Sequence, residues 1–151
     1  MVYGRIHCET ALKWRTIMEI KMMQFQTHGD ERGALIALEE NKNIPFEVKR
    51  VYFMYDTKKG VHRGFHAHKT LRQILFCPCG ACTIMLDSGS ERAYVRLDKP
   101  TEGLIVEANT WREMYDFTDD AVLMVLASDY YDENDYIRNY DEFLRHVGKK
   151  V

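Results

Sequence analysis

The chain has 151 residues, which suits one domain, since domains usually hold about 100–200 residues. Its 21 Lys and Arg residues against 23 Asp and Glu leave a net charge of −2, so the basic excess typical of nucleic-acid-binding proteins is missing. With 46% hydrophobic residues, 29% charged residues and 3 prolines, the composition excludes a disordered or collagen-like chain and indicates a globular fold.

Membrane and export signals are also missing from the sequence. The longest apolar run covers residues 121–127, well short of the ~20 residues that a membrane-spanning helix needs, and the first residues contain no hydrophobic stretch typical of a signal peptide. The 4 cysteines are too few for the disulfide framework of a secreted protein. We therefore expect a cytoplasmic protein with free thiols that binds neither membranes nor nucleic acids.

The predicted elements change type along the chain. Residues 10–22 are predicted as an amphipathic helix, with apolar positions at Leu12, Ile17 and Ile20. After Leu35, short runs rich in β-branched and aromatic residues alternate with turns. Strands are predicted at residues 48–55, 64–68, 72–77, 81–86, 92–97, 104–107, 112–117 and 122–127, and a helix at 140–146. Strands at this spacing, with no long helix between them, are typical of a β-sandwich or barrel.

A histidine pair is the most distinctive local feature. In a strand, alternate residues share a face, so His66 and His68 project together with Gly64. The glycine leaves room for a ligand to approach the backbone. Two imidazoles on an inward face can bind a metal, transfer protons or form part of a polar core.

The wider spacing around this pair distinguishes these options. Gly60, His66, His68, Gln73 and Gly80 have the spacing of the first sequence motif of the cupins, a jelly-roll family. In metal-binding cupins the position of Gln73 is a glutamate that binds the metal.

The second cupin motif is degenerate in this chain. If it starts at Gly103, Met114 stands where the motif has its histidine. A thioether and a carboxamide do not complete a strong divalent-metal site with two imidazoles. We therefore predict no metal and no cofactor, and we interpret the histidines as proton-transfer groups, with a structural role as the alternative.

The strand at residues 48–55 combines charge with apolar bulk on both faces. Arg50, Tyr52 and Met54 share one face, and Val51 and Phe53 lie on the other, which predicts burial on both sides. A buried arginine and tyrosine need partners, and either a bound anion or an interior ion pair would supply them.

Two further clusters invite metal interpretations that we do not adopt. Cys77, Cys79 and Cys82 form a single cluster, and the predicted hairpin separates them onto different faces, which favours free thiols over a zinc site. The acidic block at residues 129–136 lacks the central glycine of a calcium-binding EF-hand loop, so it is predicted to be an acidic surface cap.

Several stretches carry a specific family resemblance. They are residues 39–46 (EENKNIPF), 49–52 (KRVY), 63–69 (RGFHAHK), 111–114 (WREM) and 126–140 (LASDYYDENDYIRNY). In these stretches the chain resembles the thymidine-diphosphate (TDP) 4-oxo-6-deoxyglucose 3,4-ketoisomerases, cupin enzymes of bacterial deoxyamino-sugar synthesis for surface polysaccharides. The resemblance runs from about Met18 to Phe143 and implies an all-β, cupin-type jelly roll with short terminal helices. Residues 18–151 would form this domain, and residues 1–17 would be an extension or a misassigned start.

The resemblance also implies an activity and its residues. A base removes the proton on carbon 3 of the 4-oxo sugar, an enediol forms, and reprotonation of carbon 4 gives the 3-oxo sugar, without a metal. His66 matches the family's catalytic base, and His68 and Tyr52 match its other catalytic positions. Four arginines match substrate-binding positions: Arg32, Arg50, Arg63 and Arg112. The family resemblance further implies a homodimer in which an N-terminal strand crosses between subunits.

The configuration at carbon 4 of the product separates two branches of this family. Arg32 and the stretch at residues 39–46 favour the galacto branch, whereas Arg112 is typical of the gluco branch; together they favour the galacto product slightly. Three alternatives remain at this point: a sugar-nucleotide epimerase of cupin fold, a non-catalytic sugar-nucleotide-binding cupin and a metal-dependent oxygenase.

Overall fold

The computed structural model of the protein describes residues 18–151. In chain order these residues form β1 (Lys21–Gln24), β2 (Thr27–Asp30), β3 (Gly33–Ile36), β4 (Arg50–Met54), β5 (Arg63–His68), β6 (Gln73–Cys79), β7 (Cys82–Asp87), β8 (Arg92–Leu97), β9 (Glu102–Val106), β10 (Trp111–Tyr115), β11 (Val122–Ala127), a 3₁₀ turn (Glu133–Asp135), β12 (Tyr136–Ile137) and α1 (Tyr140–His146).

Two antiparallel sheets pack face to face. One has the order β1-β9-β6-β11-β4 and the other β12-β5-β10-β7-β8. Inward-facing apolar side chains from both sheets, among them Leu75, Ile84, Leu104 and Leu123, form the main core, as the period-2 alternation of strands requires. The architecture confirms the predicted all-β, cupin-type jelly roll.

The outer faces of the sheets are covered by different segments. Ile44 and Phe46, from the segment before β4, pack with Phe76 on the first sheet. On the second sheet, Phe143 of α1 packs with Trp111. The Asn139 side chain accepts a hydrogen bond from the backbone N–H of Glu142 and thereby caps the start of α1, the helix that the sequence predicts at residues 140–146.

The first part of the described chain differs from the prediction. Lys21–Gln24 is a strand that pairs with β9, so the end of the predicted helix at residues 10–22 is wrong; residues 10–17 lie outside the described residues. The prediction also missed the hairpin of β2 and β3, and β12. Within residues 18–151, no helix is long and apolar enough to cross a membrane.

Burial of both faces of β4 was also predicted wrongly. Val51 is 54% and Phe53 is 56% exposed, because β4 is the edge strand of its sheet and no described segment covers its outer face. The inward face, with Arg50, Tyr52 and Met54, is half-buried and faces the opposite sheet.

Candidate active site

A cleft opens between the two sheets, where β4 faces β5 and β10. It encloses about 350 Å³, a size that suits a small-molecule ligand. Its lining residues are Arg50, Tyr52, Met54, Arg63, Gly64, His66, Met114, Tyr131, Tyr136 and Arg138. Four of the predicted site residues, Arg50, Tyr52, Arg63 and His66, therefore surround one cavity.

A β-bulge in β5 shapes the wall of this cleft. His66 pairs with Arg112 of β10, whereas Gly64 pairs with the next residue, Glu113, so Phe65 is the extra residue and has φ of +53°. Gly64 has φ of +95°, and a Cβ there would lie 2.7 Å from the carbonyl oxygen of Arg112. The glycine thus accommodates the neighbouring strand, in addition to opening the cleft as the sequence suggested.

The His66 ring is held in one tautomer. Its Nδ1 lies 2.9 Å from the carbonyl oxygen of Gly64, and because a carbonyl only accepts, Nδ1 must carry the proton. Burial, followed by the positive charge of Arg112, lowers the pKa of His66 to about 4. At neutral pH the ring is therefore uncharged, with the lone pair on Nε2 available as a base.

His68 is buried directly behind His66, at a ring-centroid distance of 5.0 Å. Its Nδ1 donates to Oδ2 of Asp135 over 2.8 Å. Burial lowers the pKa of His68 to about 3, and the charge of Arg112 acts in the same direction. Asp135 also accepts hydrogen bonds from the backbone and side chain of Thr70, so it ties the end of β5 to the segment before β12.

Arg112 is a fully buried cation behind the cleft. Its side chain is 2% exposed, and it donates from Nη2 to Oε1 of Gln73. Gln73 in turn donates from Nε2 to the Tyr52 hydroxyl over 2.7 Å. Burial raises the pKa of Tyr52, so its hydroxyl keeps its proton at neutral pH.

The donor set does not suit a divalent cation. The Gln73 oxygen, at the cupin ligand position, already accepts from Arg112, and the buried charge of Arg112 depresses protonation of both histidines. The same charge would repel a metal ion bound between the rings.

Three arginines line the cleft, and one of them is paired with an acidic residue. Nε and Nη2 of Arg50 are buried and have no hydrogen-bond partner within residues 18–151, which is costly unless a ligand supplies one. Arg63 lies exposed beside the cleft. Arg138 is paired with Glu133 over 2.6 Å and lies 4.2 Å from the centroid of the Tyr136 ring.

Taken together, these groups suit acid–base chemistry on an anionic substrate. His66 is a neutral base of fixed tautomer, Tyr52 is a protonated hydroxyl, and Arg50 has unfilled donors that match phosphate oxygens. Proton abstraction next to a carbonyl requires a base and a donor that stabilises the oxyanion, and both line this cavity.

Most of the chain matches one known protein family. The model of the family described as "FdtA: WxcM-like, C-terminal" matches residues 18–148. The chain belongs to the FdtA family.

Characterised FdtA-like proteins cover nearly the same part of the chain. A curated relative from Aneurinibacillus thermoaerophilus, named TDP-4-oxo-6-deoxy-alpha-D-glucose-3,4-oxoisomerase, is 54% identical over 132 residues, which cover 87% of this chain and 95% of the relative. The crystal structure of a 3,4-ketoisomerase from Helicobacter canadensis is 51% identical and covers 87% of this chain and 99% of its own, with a TM-score of 0.84.

A third relative was solved with a bound sugar nucleotide. It is a histidine-to-asparagine mutant of the 3,4-ketoisomerase QdtA from Thermoanaerobacterium thermosaccharolyticum, in complex with TDP-4-keto-6-deoxyglucose. It is 41% identical, covers 85% of this chain and 93% of its own, and has a TM-score of 0.83. These relatives confirm the predicted resemblance to 3,4-ketoisomerases.

In this FdtA family member, one residue predicted to bind substrate lies outside the cleft. Arg32 is in the turn between β2 and β3, its side chain is 87% exposed, and its partner is Asp30. It lines a separate, open hollow of about 520 Å³ in that hairpin, together with small and exposed residues such as Gly29, Ala34 and Leu35. Within the described chain, Arg32 does not reach the cleft.

Conversely, two cleft residues come from the block predicted as an acidic surface cap. Residues 130–134 of that block are exposed, in line with the prediction, but Tyr131 and Tyr136 also line the cleft and Asp135 binds His68, which the prediction missed. The density of tyrosines among the acidic residues was the available signal, since such side chains often line ligand sites.

Two of the three clustered cysteines lie next to each other, which contradicts the predicted separation onto different faces. Cys77 and Cys82 are both buried, with their Sγ atoms 3.6 Å apart, so the hairpin brings these two together and leaves Cys79 exposed. All three are free thiols, as predicted.

Proposed function

We propose that this protein is a 3,4-ketoisomerase that converts TDP-4-oxo-6-deoxyglucose to a TDP-3-oxo-6-deoxyhexose for deoxyamino-sugar synthesis. The observation that carries the proposal is the neutral His66, whose Nε2 lone pair is left free by the bond from Nδ1 to Gly64. The names of the relatives and the arginine-lined cleft support the substrate class.

The reaction requires two coupled proton movements. His66 removes the hydrogen on carbon 3 as a proton, the electrons of that bond form the double bond between carbons 3 and 4, and Tyr52 donates its proton to the oxygen on carbon 4. The resulting enediol collapses when the oxygen on carbon 3 returns a proton to Tyr52 and the protonated His66 delivers its proton to carbon 4. Both side chains end as they began.

The arginines bind the nucleotide part of the substrate in this proposal. Arg50 and Arg63 hold diphosphate oxygens, and the diphosphate fills the unpaired donors of Arg50. His68, held by Asp135, packs against the His66 ring at a centroid distance of 5.0 Å and restricts its movement. Arg112, behind the cleft, helps to keep both rings unprotonated.

The stereochemistry of carbon 4 follows from the face that is protonated. On a gluco-configured ring, the hydrogens on carbons 3 and 4 point to opposite faces. A single base that returns the proton on the face from which it came therefore gives the galacto product. Since His66 is the one histidine that lines the described cleft, we propose the galacto configuration.

The test is conversion of TDP-4-oxo-6-deoxyglucose in deuterium oxide, followed by NMR. We expect the carbonyl to move to carbon 3, with the galacto configuration at carbon 4. Deuterium incorporation with an unmoved carbonyl would instead identify an epimerase, and a gluco product would overturn the single-face transfer. His66→Ala should lower turnover by roughly 10²–10⁴-fold, whereas unchanged turnover would exclude His66 as the base.

We also propose that the enzyme works in the cytoplasm as a homodimer with crossing N-terminal strands. The hairpin of β2 and β3 supports this assembly, because all of β2 is exposed and Leu35 of β3 is 60% exposed. A hairpin with few contacts to its own subunit is marginally stable alone, and a second subunit would cover it and receive Arg32.

A further inference from the structure

Gln73 joins the two sheets at the back of the cleft. It is 1% exposed, and its amide makes one hydrogen bond to each side: its Oε1 accepts from Arg112 of β10, and its Nε2 donates to Tyr52 of β4 over 2.7 Å. Gln73 does not line the cavity, so its side chain would not contact a substrate bound there.

The direction of these two bonds is determined by chemistry. A guanidinium can only donate, so the amide oxygen must face Arg112, and the NH₂ group must then face Tyr52. The Tyr52 oxygen is consequently the acceptor in that bond, and its single hydrogen remains for another partner. Since Tyr52 lines the cleft, the substrate is available as that partner.

We propose that Gln73 is a positioning residue that makes Tyr52 the proton donor to the sugar carbonyl. Arg112 sets the orientation of the Gln73 amide, and the amide sets the direction of the Tyr52 O–H. A hydroxyl that accepts one hydrogen bond is also a stronger donor in the next. This inference rests on the proposed function and assigns a role to a residue that never touches the substrate.

The decisive variant is Gln73→Glu, which keeps size and shape but reverses one hydrogen bond. The carboxylate still accepts from Arg112, so the buried cation stays paired. Its second oxygen, however, can only accept, so the hydrogen of Tyr52 turns toward residue 73 and away from the substrate.

We expect kcat of Gln73→Glu to fall by roughly 10²-fold, the usual effect of removing one oxyanion donor, with KM changed less than about threefold because substrate contacts are intact. Tyr52→Phe should show a similar loss. The double variant Gln73→Glu/Tyr52→Phe should be no slower than the slower single variant, since both changes remove one donor. Ser90→Asp, which adds the same charge at an exposed position in the turn between β7 and β8, is the control and should have wild-type kinetics.

A purely structural role predicts a different pattern. Gln73→Met, which breaks both bonds, would then be the worse variant in thermal stability and in turnover, and Gln73→Glu would be nearly wild-type. Gln73→Glu kcat within about threefold of wild type, or independent losses that multiply in the double variant, would overturn the positioning role.

Two controls keep the result interpretable. Gln73→Glu restores the glutamate of metal-binding cupins beside His66 and His68, so all assays contain a chelator and metal content is measured. If the wild-type enzyme does not move the carbonyl, the proposed function fails and the role of Gln73 fails with it. If wild type is active and Gln73→Glu is equally active, only the positioning role fails.

Discussion

At the scale of single residues, one buried charge organises the chemistry of the cleft. Arg112 is 2% exposed, and its charge lowers the pKa of both His66 and His68 in addition to the effect of burial. The same guanidinium orients Gln73. A cation at this point therefore keeps the base unprotonated and fixes the donor, two conditions that proton transfer at neutral pH requires.

This arrangement predicts the pH dependence of the reaction. The pKa of His66 is about 4, and the base is active only when unprotonated, so kcat/KM should be constant between about pH 5.5 and 7.5 and fall below about pH 4. A fall in kcat/KM centred near pH 6.5, which is about the unperturbed pKa of histidine, would contradict the buried environment assigned to His66. The measurement is kcat/KM for the TDP-sugar against pH.

Acid unfolding would also lower kcat/KM at low pH and must be distinguished from protonation of His66. Because His66 and His68 have lowered pKa values in the folded chain, the unfolded chain binds more protons below about pH 6.5. The free energy of unfolding therefore decreases as the pH falls from about 6.5 toward 4. Circular dichroism at each assay pH distinguishes protonation of the base from loss of the fold.

At the scale of elements, the sequence predicted regular strands well but not their irregularities. The strands at residues 92–97 and 122–127 were predicted with the observed ends, because each is a regular β-rich run between turn residues. The alternation that placed His66 beside His68 was also a local property. The bulge at Phe65 was not, since it depends on how β5 pairs with β10.

The larger errors of the sequence prediction concern residues whose partners are distant in the chain or whose strands lack an apolar pattern. Asp135 was assigned to a surface cap because its partner, His68, is 67 positions away in the chain. The hairpin of β2 and β3 was missed because β2 is exposed at every position, so it lacks the alternating apolar pattern by which strands are detected. Gln73 was identified by the cupin motif and Arg112 by the family resemblance. The hydrogen bond between them could not be predicted, because it forms only when the two sheets pack together.

The bulge gives a prediction about stability and activity. In Gly64→Ala the new Cβ would lie 2.7 Å from the Arg112 carbonyl oxygen and 3.1 Å from Cε of Met114, so β5 and β10 must separate. Gly60→Ala is the matched control: Gly60 also has positive φ, +76°, but a Cβ there meets nothing within 4 Å. The control should cost only about 1 kcal/mol of unfolding free energy for the left-handed backbone.

We expect Gly64→Ala to lower the melting temperature by several degrees more than Gly60→Ala, and to lower kcat at least tenfold because His66 moves with its strand. Differential scanning calorimetry and product NMR measure the two effects. Equal melting temperatures and equal activities for the two variants would show that the strand contact at Gly64 is not tight.

At the scale of the whole molecule, the net charge of −2 does not show that four arginines are grouped at one cleft. Arg50, Arg63 and Arg138 line the cleft, and Arg112 lies behind it. Acidic groups from residues 129–135 stand beside them, and Glu133 neutralises Arg138. Of the four arginines predicted to bind substrate, Arg32 is the one outside this group, because it lies exposed in the β2–β3 hairpin of the single chain.

Arg32 therefore provides a test of the proposed dimer. If it completes the cleft of the other subunit, Arg32→Ala and His66→Ala should each be nearly inactive alone. Mixing the two variants under conditions that exchange subunits gives dimers in which one cleft has both its own His66 and the partner's Arg32. Random exchange makes half of the dimers mixed, each with one of two sites intact, so about a quarter of wild-type activity should return. If Arg32 instead served the cleft of its own subunit, each site in a mixed dimer would lack one group and no activity would return. Full activity of Arg32→Ala alone would remove Arg32 from the site altogether.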